Sequence, residues 1–307
     1  MPLPTDTAVD RRRLKKSLTL WRAIGIVALA ATAIFAFEGV DVVRAWTGGN
    51  YVGRLSVEGI VFQDRAREEA LAAFAKDPRA KALVVEIDSP GGTVVGGESL
   101  FLALREVASR KPVVAVVGEM AASGGYMVAL GADRIFARGG SITGSIGVIL
   151  QTVDATELLS KLGVKPESVK SSPLKAQPNP LEPFTEDARR ATEEIVADSY
   201  RMFFDMVADR RGLTPDATRV LADGRIFTGR QAAANGLIDA LGGEDEARAW
   251  LSEAHGVPLS LPSRDVAIRR KDDLLSGLIG GMVGKTLFSE RLRLDGLISL
   301  WHPDTRQ

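Results

Sequence analysis

Cysteine does not occur anywhere in the 307 residues. That excludes disulfides, a thiol nucleophile and thiolate-bound metal, while fixing no compartment. Histidine is almost as scarce: His255 falls in a terminal helical stretch and His302 in the tail, neither beside a glycine-rich turn in sequence. A hydrolytic serine must therefore take its imidazole from far along the chain or use another base. Charge of either sign is not in excess, with 39 basic and 39 acidic side chains, so no bulk attraction to nucleic acid exists. Internal repeats and low-complexity tracts are missing. Apolar content of 45% is ordinary for a globular chain.

Long hydrophobic runs are also lacking, apart from residues 23–37 between Arg22 and Glu38. That run falls short of the ~20 residues of a membrane span. Residues 18–21 extend it if Arg22 snorkels toward headgroups, and Trp21 suits that interface. Arg11, Arg12, Arg13, Lys15 and Lys16 precede it and favour a cytoplasmic N-terminus, with everything after Glu38 outside. A cleaved signal peptide has the same layout, but Ala31-Thr32-Ala33, the cleavage-like tripeptide, lies inside the apolar run. The reading is an uncleaved anchor at 18–40 after a basic tail at 1–17. A linker at 41–50, a body at 51–257 and a C-terminal extension at 258–307 follow. Within the extension, Ser276, Gly280 and Gly284 recur every four residues in an apolar stretch at 274–288. That spacing suits close helix approach, on a membrane or against another subunit.

The body alternates strand and helix patterns, which predicts an α/β fold. Strands are expected at 51–59, 82–87, 113–117, 134–137 and 225–228. Helices are expected at 64–75, 96–110, 126–132 and 156–162, then from Thr185 to about Arg211, and from Thr214, Arg230 and Glu244. Leu100, Leu104 and Val107 mark the buried face of one helix, and Thr185 can cap the long one.

Residues 118–130 organise the rest. The apolar strand 113–117 runs into Ala121-Ala122-Ser123-Gly124-Gly125, and helix-compatible residues run out. Ser123 thus sits at a strand-to-helix turn walled by small residues, the logic of a nucleophile elbow without the hydrolase G-x-S-x-G pattern. An ordinary serine N-cap remains the competing reading. A lysine replaces histidine as base where it is neutral, which requires burial. Lys175 stands in a proline-rich loop at 169–184 with no other charge between Lys170 and Glu182. A solvated loop lysine is its alternative. Gly91 and Gly92 follow a strand end and can expose backbone N–H groups. With the N–H of Gly124 they would form an oxyanion hole.

These segments resemble a known family. Asp88-Ser89-Pro90-Gly91-Gly92, Ala122-Ser123-Gly124-Gly125-Tyr126, Thr143-Gly144-Ser145-Ile146-Gly147-Val148 and the Lys175 loop are similar to the S49 serine peptidases of the signal peptide peptidase A type. So are Gly224-Arg225-Ile226-Phe227-Thr228-Gly229-Arg230, Asn235-Gly236-Leu237-Ile238-Asp239 and Leu241-Gly242-Gly243. The likeness covers about 51–257 and the anchor. It implies a ClpP/crotonase-like fold of repeated curved ββα units behind an N-terminal transmembrane helix. It implies Ser123 as nucleophile, Lys175 as general base and Ser145 as the residue that orients Lys175. Gly92 and Gly124 match oxyanion donors, with Gly91 as a further candidate. No cofactor or metal is called for.

The implied protein is a single-unit bacterial enzyme of the inner membrane, its peptidase domain extracytoplasmic. It would degrade remnant signal peptides, facing the lipid bilayer as a homo-octamer with the dyad shared between neighbours. The loop Ser171-Ser172-Pro173-Leu174-Lys175 departs from the glycine-containing, more polar stretch of many relatives. Two other readings stay in play. A crotonase-like acyl-CoA hydratase or hydrolase needs paired carboxylates, of which Glu119 is the only one found by the elbow. The other is a non-catalytic membrane scaffold.

Overall fold

The computed structural model describes residues 49–269 and the backbone of 298–300, together with Leu18, Trp21, Arg22, Leu29 and residues 24–27. The chain divides into two units, Met1–Gly49 and Asn50–Gln307. In the first, the described residues of the apolar run are helical and exposed. Among the described residues no helix is long and apolar enough to cross a membrane. Most of the anchor expected at 18–40, and the whole stretch 274–288, lie outside them.

The second unit is a mixed α/β assembly. Its described strands are β1 (Tyr51–Val61), β2 (Ala80–Thr93), β3 (Val113–Ala122), β4 (Arg134–Ala137), β5 (Ile142–Gly144), β6 (Ile226–Thr228), β7 (Ala240–Leu241), β8 (Ser263–Asp265) and β9 (Ile298–Leu300). The helices are α1 (Arg65–Lys76), α2 (Val94–Ala108), α3 (Gly124–Leu130), α4 (Thr156–Lys161), α5 (Glu186–Arg211), α6 (Pro215–Leu221), α7 (Gly229–Asn235) and α8 (Glu244–His255). They build one sheet in the order β6-β5-β3-β2-β1-β8, with β4 beside β3, β7 beside β4 and β9 beside β2. Pairings are parallel except β5–β6 and β2–β9.

Helices α1 and α2 make the crossovers that parallel neighbours require. Because both faces of the central strands are covered, residues 82–85 of β2 and 113–117 of β3 read as unbroken apolar runs. Leu83, Val85 and Ile87 join the core with α2 and α3, whereas Ala82 and Val84 pack with Ala247 and Leu251 of α8. Burying each large side chain contributes about 1.5–3 kcal/mol. Leu100, Leu104 and Val107 are buried along α2, the face predicted from their spacing.

A fork in the sheet matters most. The first half of β3 pairs with β4, from Val114↔Arg134 to Val117↔Ala137. Its second half pairs with β5, from Met120↔Ile142 to Ala122↔Gly144. The chain then enters α3, every residue of which is buried. Tyr126 anchors that helix by donating its hydroxyl to the Leu237 carbonyl at 2.6 Å. Arg210 closes its far end, donating to the Leu130 and Ala132 carbonyls at 2.9 and 2.7 Å.

Several stretches differ from expectation. Strand β2 runs on through Asp88 to Gly92, past the end expected at 87, because β1 continues alongside as far as Val61↔Gly92. Residues 142–144, where no strand is expected, form β5, held in the sheet by pairing on both sides. Strands β8 and β9 carry no alternation long enough to read, three residues each.

Candidate active site

Ser123 is the first residue past β3 and is 1% exposed. Its backbone sits at φ 54° and ψ −119°. That region costs a residue with a Cβ about 1–3 kcal/mol, so the surroundings must enforce it. They do so through the main chain. The Ser123 N–H donates to the Gly144 carbonyl at 2.8 Å, and its carbonyl accepts from Tyr126 and Met127 at 2.9 and 3.0 Å. The hydroxyl makes no capping bond to α3, so the N-cap reading does not describe this serine.

Ser145 arrives beside it by the register of β5. Ala122↔Gly144 is the last rung of β3–β5, and Ser123 and Ser145 are each the next residue beyond it. The Ser145 N–H donates to the Arg225 carbonyl at 2.8 Å, and φ is 49°. Thr143 pins the same strand end by donating its hydroxyl to the Ala121 carbonyl at 2.8 Å. Two serines well separated in sequence thus end on adjacent strand tips.

Beneath α3 lies β2. A Cβ on Gly125 would stand 2.7 Å from the Ser89 carbonyl oxygen, so only glycine lets the helix start rest there. Pairing of β3 with β2 stops at Ser89↔Ala121. Beyond it β1 keeps one edge of β2, and β9 runs antiparallel along the edge that β3 vacates, as Gly91↔Leu300, Gly92↔Ser299 and Thr93↔Ile298. Gly92 is hemmed in: an added Cβ would lie 1.9 Å from the Val61 carbonyl oxygen. Gly91 leaves the expected donor set, because its N–H donates to Ser89 Oγ at 3.1 Å. Ser89 Oγ itself donates to the Gly59 carbonyl at 2.6 Å. Gly92 and Gly124 remain, the latter at the first helical position, where an N–H lacks an intrahelical acceptor.

Lys175 is placed otherwise. It lies exposed in a turn, its N–H donating to the Ser172 carbonyl at 3.2 Å. The burial that a neutral amine requires is not supplied around it by the single chain. The bonds found along its loop run to Glu182, to Ala155 and within the loop itself. One backbone feature links it to the two serines. Among the described residues, three other than glycine have positive φ: Ser123, Ser145 and Ala176, the last directly after Lys175.

Glu119 does have an acidic neighbour that the sequence did not reveal. Burial first, and then the Glu119 charge, hold the Asp88 carboxyl above the usual carboxylate range. Ile87 and Ser89 face α3, so strand alternation turns Asp88 to the opposite side of the sheet from Ser123. Among the described residues no cluster of three His, Asp or Glu side chains could hold a metal ion. Two polar side chains next to these candidates carry little sequence signal: Ser89, a small hydroxyl beside a glycine pair, and Glu182, which accepts from three side chains of the Lys175 loop.

A family model described as Peptidase family S49 matches residues 105–258. The chain is 38% identical over 208 residues to "Putative protease slr0021" of Synechocystis sp., covering 67% of this chain and 75% of that one. It is 38% identical over 181 residues to "Putative signal peptide peptidase SppA" of Enterococcus faecium, covering 58% of this chain and 52% of that one. The second relative is thus matched along only about half its length. Among solved structures, a mutant ClpP1 from Listeria monocytogenes is similar at a TM-score of 0.42 and 15% identity, over 62% of this chain and 91% of that chain. A likeness that loose carries nothing further.

Proposed function

The chain belongs to peptidase family S49, and on that premise we propose a membrane-anchored serine endopeptidase that uses a Ser123–Lys175 dyad on remnant signal peptides. The observation that carries the site is the set of three strained residues. Backbone strain of this kind collects where function needs it, and here it falls on the nucleophile, on its neighbour Ser145 and on the residue after the base. The forked, mostly parallel sheet supports reading the fold as ClpP/crotonase-like.

The chemistry follows in balanced steps. The Lys175 amine takes the Ser123 hydroxyl proton as Oγ attacks the substrate carbonyl carbon. The oxyanion formed accepts from the Gly92 and Gly124 N–H groups, each worth roughly 3–4 kcal/mol. Lys175 passes the proton to the departing amine nitrogen as the C–N bond breaks, leaving an ester on Ser123. It then takes a proton from water, whose oxygen attacks the ester carbon. The ester C–O bond breaks and Oγ recovers the proton. Ser145 orients the amine. An extended peptide as substrate is supported by the β2 edge at Gly91–Thr93, which already accepts a strand.

The exposure of Lys175 in one chain supports a dyad completed between neighbours of a homo-oligomer, read as an octamer. The signal-peptide substrate is supported by the name of the Enterococcus relative, and the bilayer location by the basic flank and apolar run near the N-terminus. The acyl-CoA reading loses ground, since strand alternation turns Asp88, the acidic neighbour of Glu119, away from Ser123.

Reaction with a fluorophosphonate probe tests the proposal. Ser123 is the expected site of labelling, lost in Ser123→Ala, with Lys175→Ala folded but without turnover on casein or a signal-peptide substrate. A fully active Lys175→Ala, or hydration of an enoyl-CoA without proteolysis, would sink it.

A further inference from the structure

Glu182 gathers three side chains of its own loop. Ser168 Oγ, Lys170 Nζ and Gln177 Nε2 all donate to its carboxylate. The side chains of Lys170 and Glu182 are only 16% and 24% exposed. Lys175 lies in sequence between two of those donors. Inside the loop, Asn179 Nδ2 donates to the Ala176 carbonyl at 2.8 Å and the Leu181 N–H donates to Asn179 Oδ1 at 3.0 Å. On its other side Glu182 stands just ahead of Thr185, which caps α5 by accepting from the Ala188 N–H. That helix is fixed to the nucleophile's scaffold: Phe203 and Val207 are buried, and Arg210 holds the end of α3.

We infer that Glu182 is a positioning residue, clamping the Lys175 turn to the start of α5 so that the amine is presented in one place. The inference rests on the Ser123–Lys175 reading. The bonds to Glu182 all lie within one loop, so their loss frees that loop locally rather than unfolding the core. Stability is therefore not where this carboxylate should be felt. Three donors on one acceptor restrict the path of the loop, and misplacing a catalytic group by ~1 Å can cost about 100-fold in rate. Ser145 and Ser123 need no such clamp, because main-chain bonds fix both.

The test uses the full chain and a fluorogenic peptide, with Glu182→Ala, Lys170→Met and the double variant. Each single change is expected to lower kcat by about 10- to 100-fold. KM should stay within about twofold, and the thermal midpoint should hold, because the bonds removed lie within a single loop outside the packed core. The double variant should be no worse than the worse single, since both remove one clamp. Glu182→Gln, which keeps one acceptor oxygen, should recover part of kcat and remains informative if Glu182→Ala does not fold. An unchanged kcat in Glu182→Ala, or losses that multiply in the double variant, would overturn the inference. Full activity in Lys175→Ala would instead remove the dyad itself, whatever Glu182 does.

Discussion

Ser123 and Lys175 are held in opposite ways. The serine is 1% exposed, and its φ of 54° is enforced by main-chain bonds to β5 and α3. The lysine is exposed, in a loop tied by side chains. A main-chain scaffold in a packed core is nearly independent of what surrounds the molecule, whereas a side-chain clamp at the surface leaves room for a second body to finish the site. On the proposed dyad, the nucleophile would be complete in one chain and the base would take its setting from a second.

The largest effects break that pairing. Ser123→Ala and Lys175→Ala should each lower kcat by about 10⁴-fold or more, measured on a peptide substrate. Mixing the two inactive chains sharpens the contrast. If each site takes its serine from one protomer and its lysine from the next, random equal mixing restores about a quarter of the sites. If both come from one chain, mixing restores nothing. Activity after co-refolding decides between them.

The nucleophile side should also be the less forgiving of change. Gly92→Ala puts a Cβ 1.9 Å from the Val61 carbonyl oxygen, and neither strand can yield without breaking the β1–β2 ladder. A loss of about 3 kcal/mol or more is expected in urea unfolding, at the upper end of overpacking. Alanine at Ser171 in the exposed lysine loop should change stability by less than about 0.5 kcal/mol. Comparable losses at the two positions would erase the distinction between core and loop.

The same contrast explains what was legible in the sequence. Most strands and helices from Tyr51 to His255, short β5 and β7 excepted, could be read because buried faces leave a period, as Leu100, Leu104 and Val107 do on α2. Ser123 was legible from its wall of small residues, since close packing against Ser89 excludes a Cβ at Gly125. The bond from the Gly91 N–H to Ser89 Oγ was not legible, because it is set by side-chain geometry that no spacing encodes. Continuation of β2 through Asp88 to Gly92 depends on β1 lying alongside, a fact of pairing and not of local preference. Glu182 was invisible for the same reason, its three donors being brought to it by the loop's fold. Lys175 was singled out by a proline-rich loop free of other charge, whereas the role of Ser145 came from the family resemblance alone.

Acid offers a smaller probe of the two regions. Hydrogen bonds from Arg79 are the main cause holding Asp77, at the foot of β1 and β2, down to about 2. Lys170 chiefly holds Glu182 at about 2 as well. Both folded values lie below the ordinary carboxylate range, so each contribution is complete above about pH 5 and is lost as pH falls through about 2. Asp77→Asn should cost about 1 kcal/mol or less near pH 7, after allowance for solvent screening, and nothing below about pH 2. Amide exchange in residues 168–182 should quicken across the same window while residues 113–122 stay protected. A cost for Asp77→Asn that persists at pH 2 would show that packing, not charge, sets it.

The smallest effect concerns the edge of β2. Strand β9 lies along Gly91–Thr93, where β3 has turned away and where a peptide substrate is proposed to lie. Substrate and β9 would then compete for the same backbone groups. A chain ending at residue 297 should bind peptide more tightly, with KM lowered about threefold, the ~0.7 kcal/mol of a short strand's net hydrogen bonding. Its kcat should hold, because Ser123, Ser145 and the Lys175 loop keep their own supports. A KM that does not move would mean that peptides enter by another edge, leaving the nucleophile where it is but redrawing the path to it.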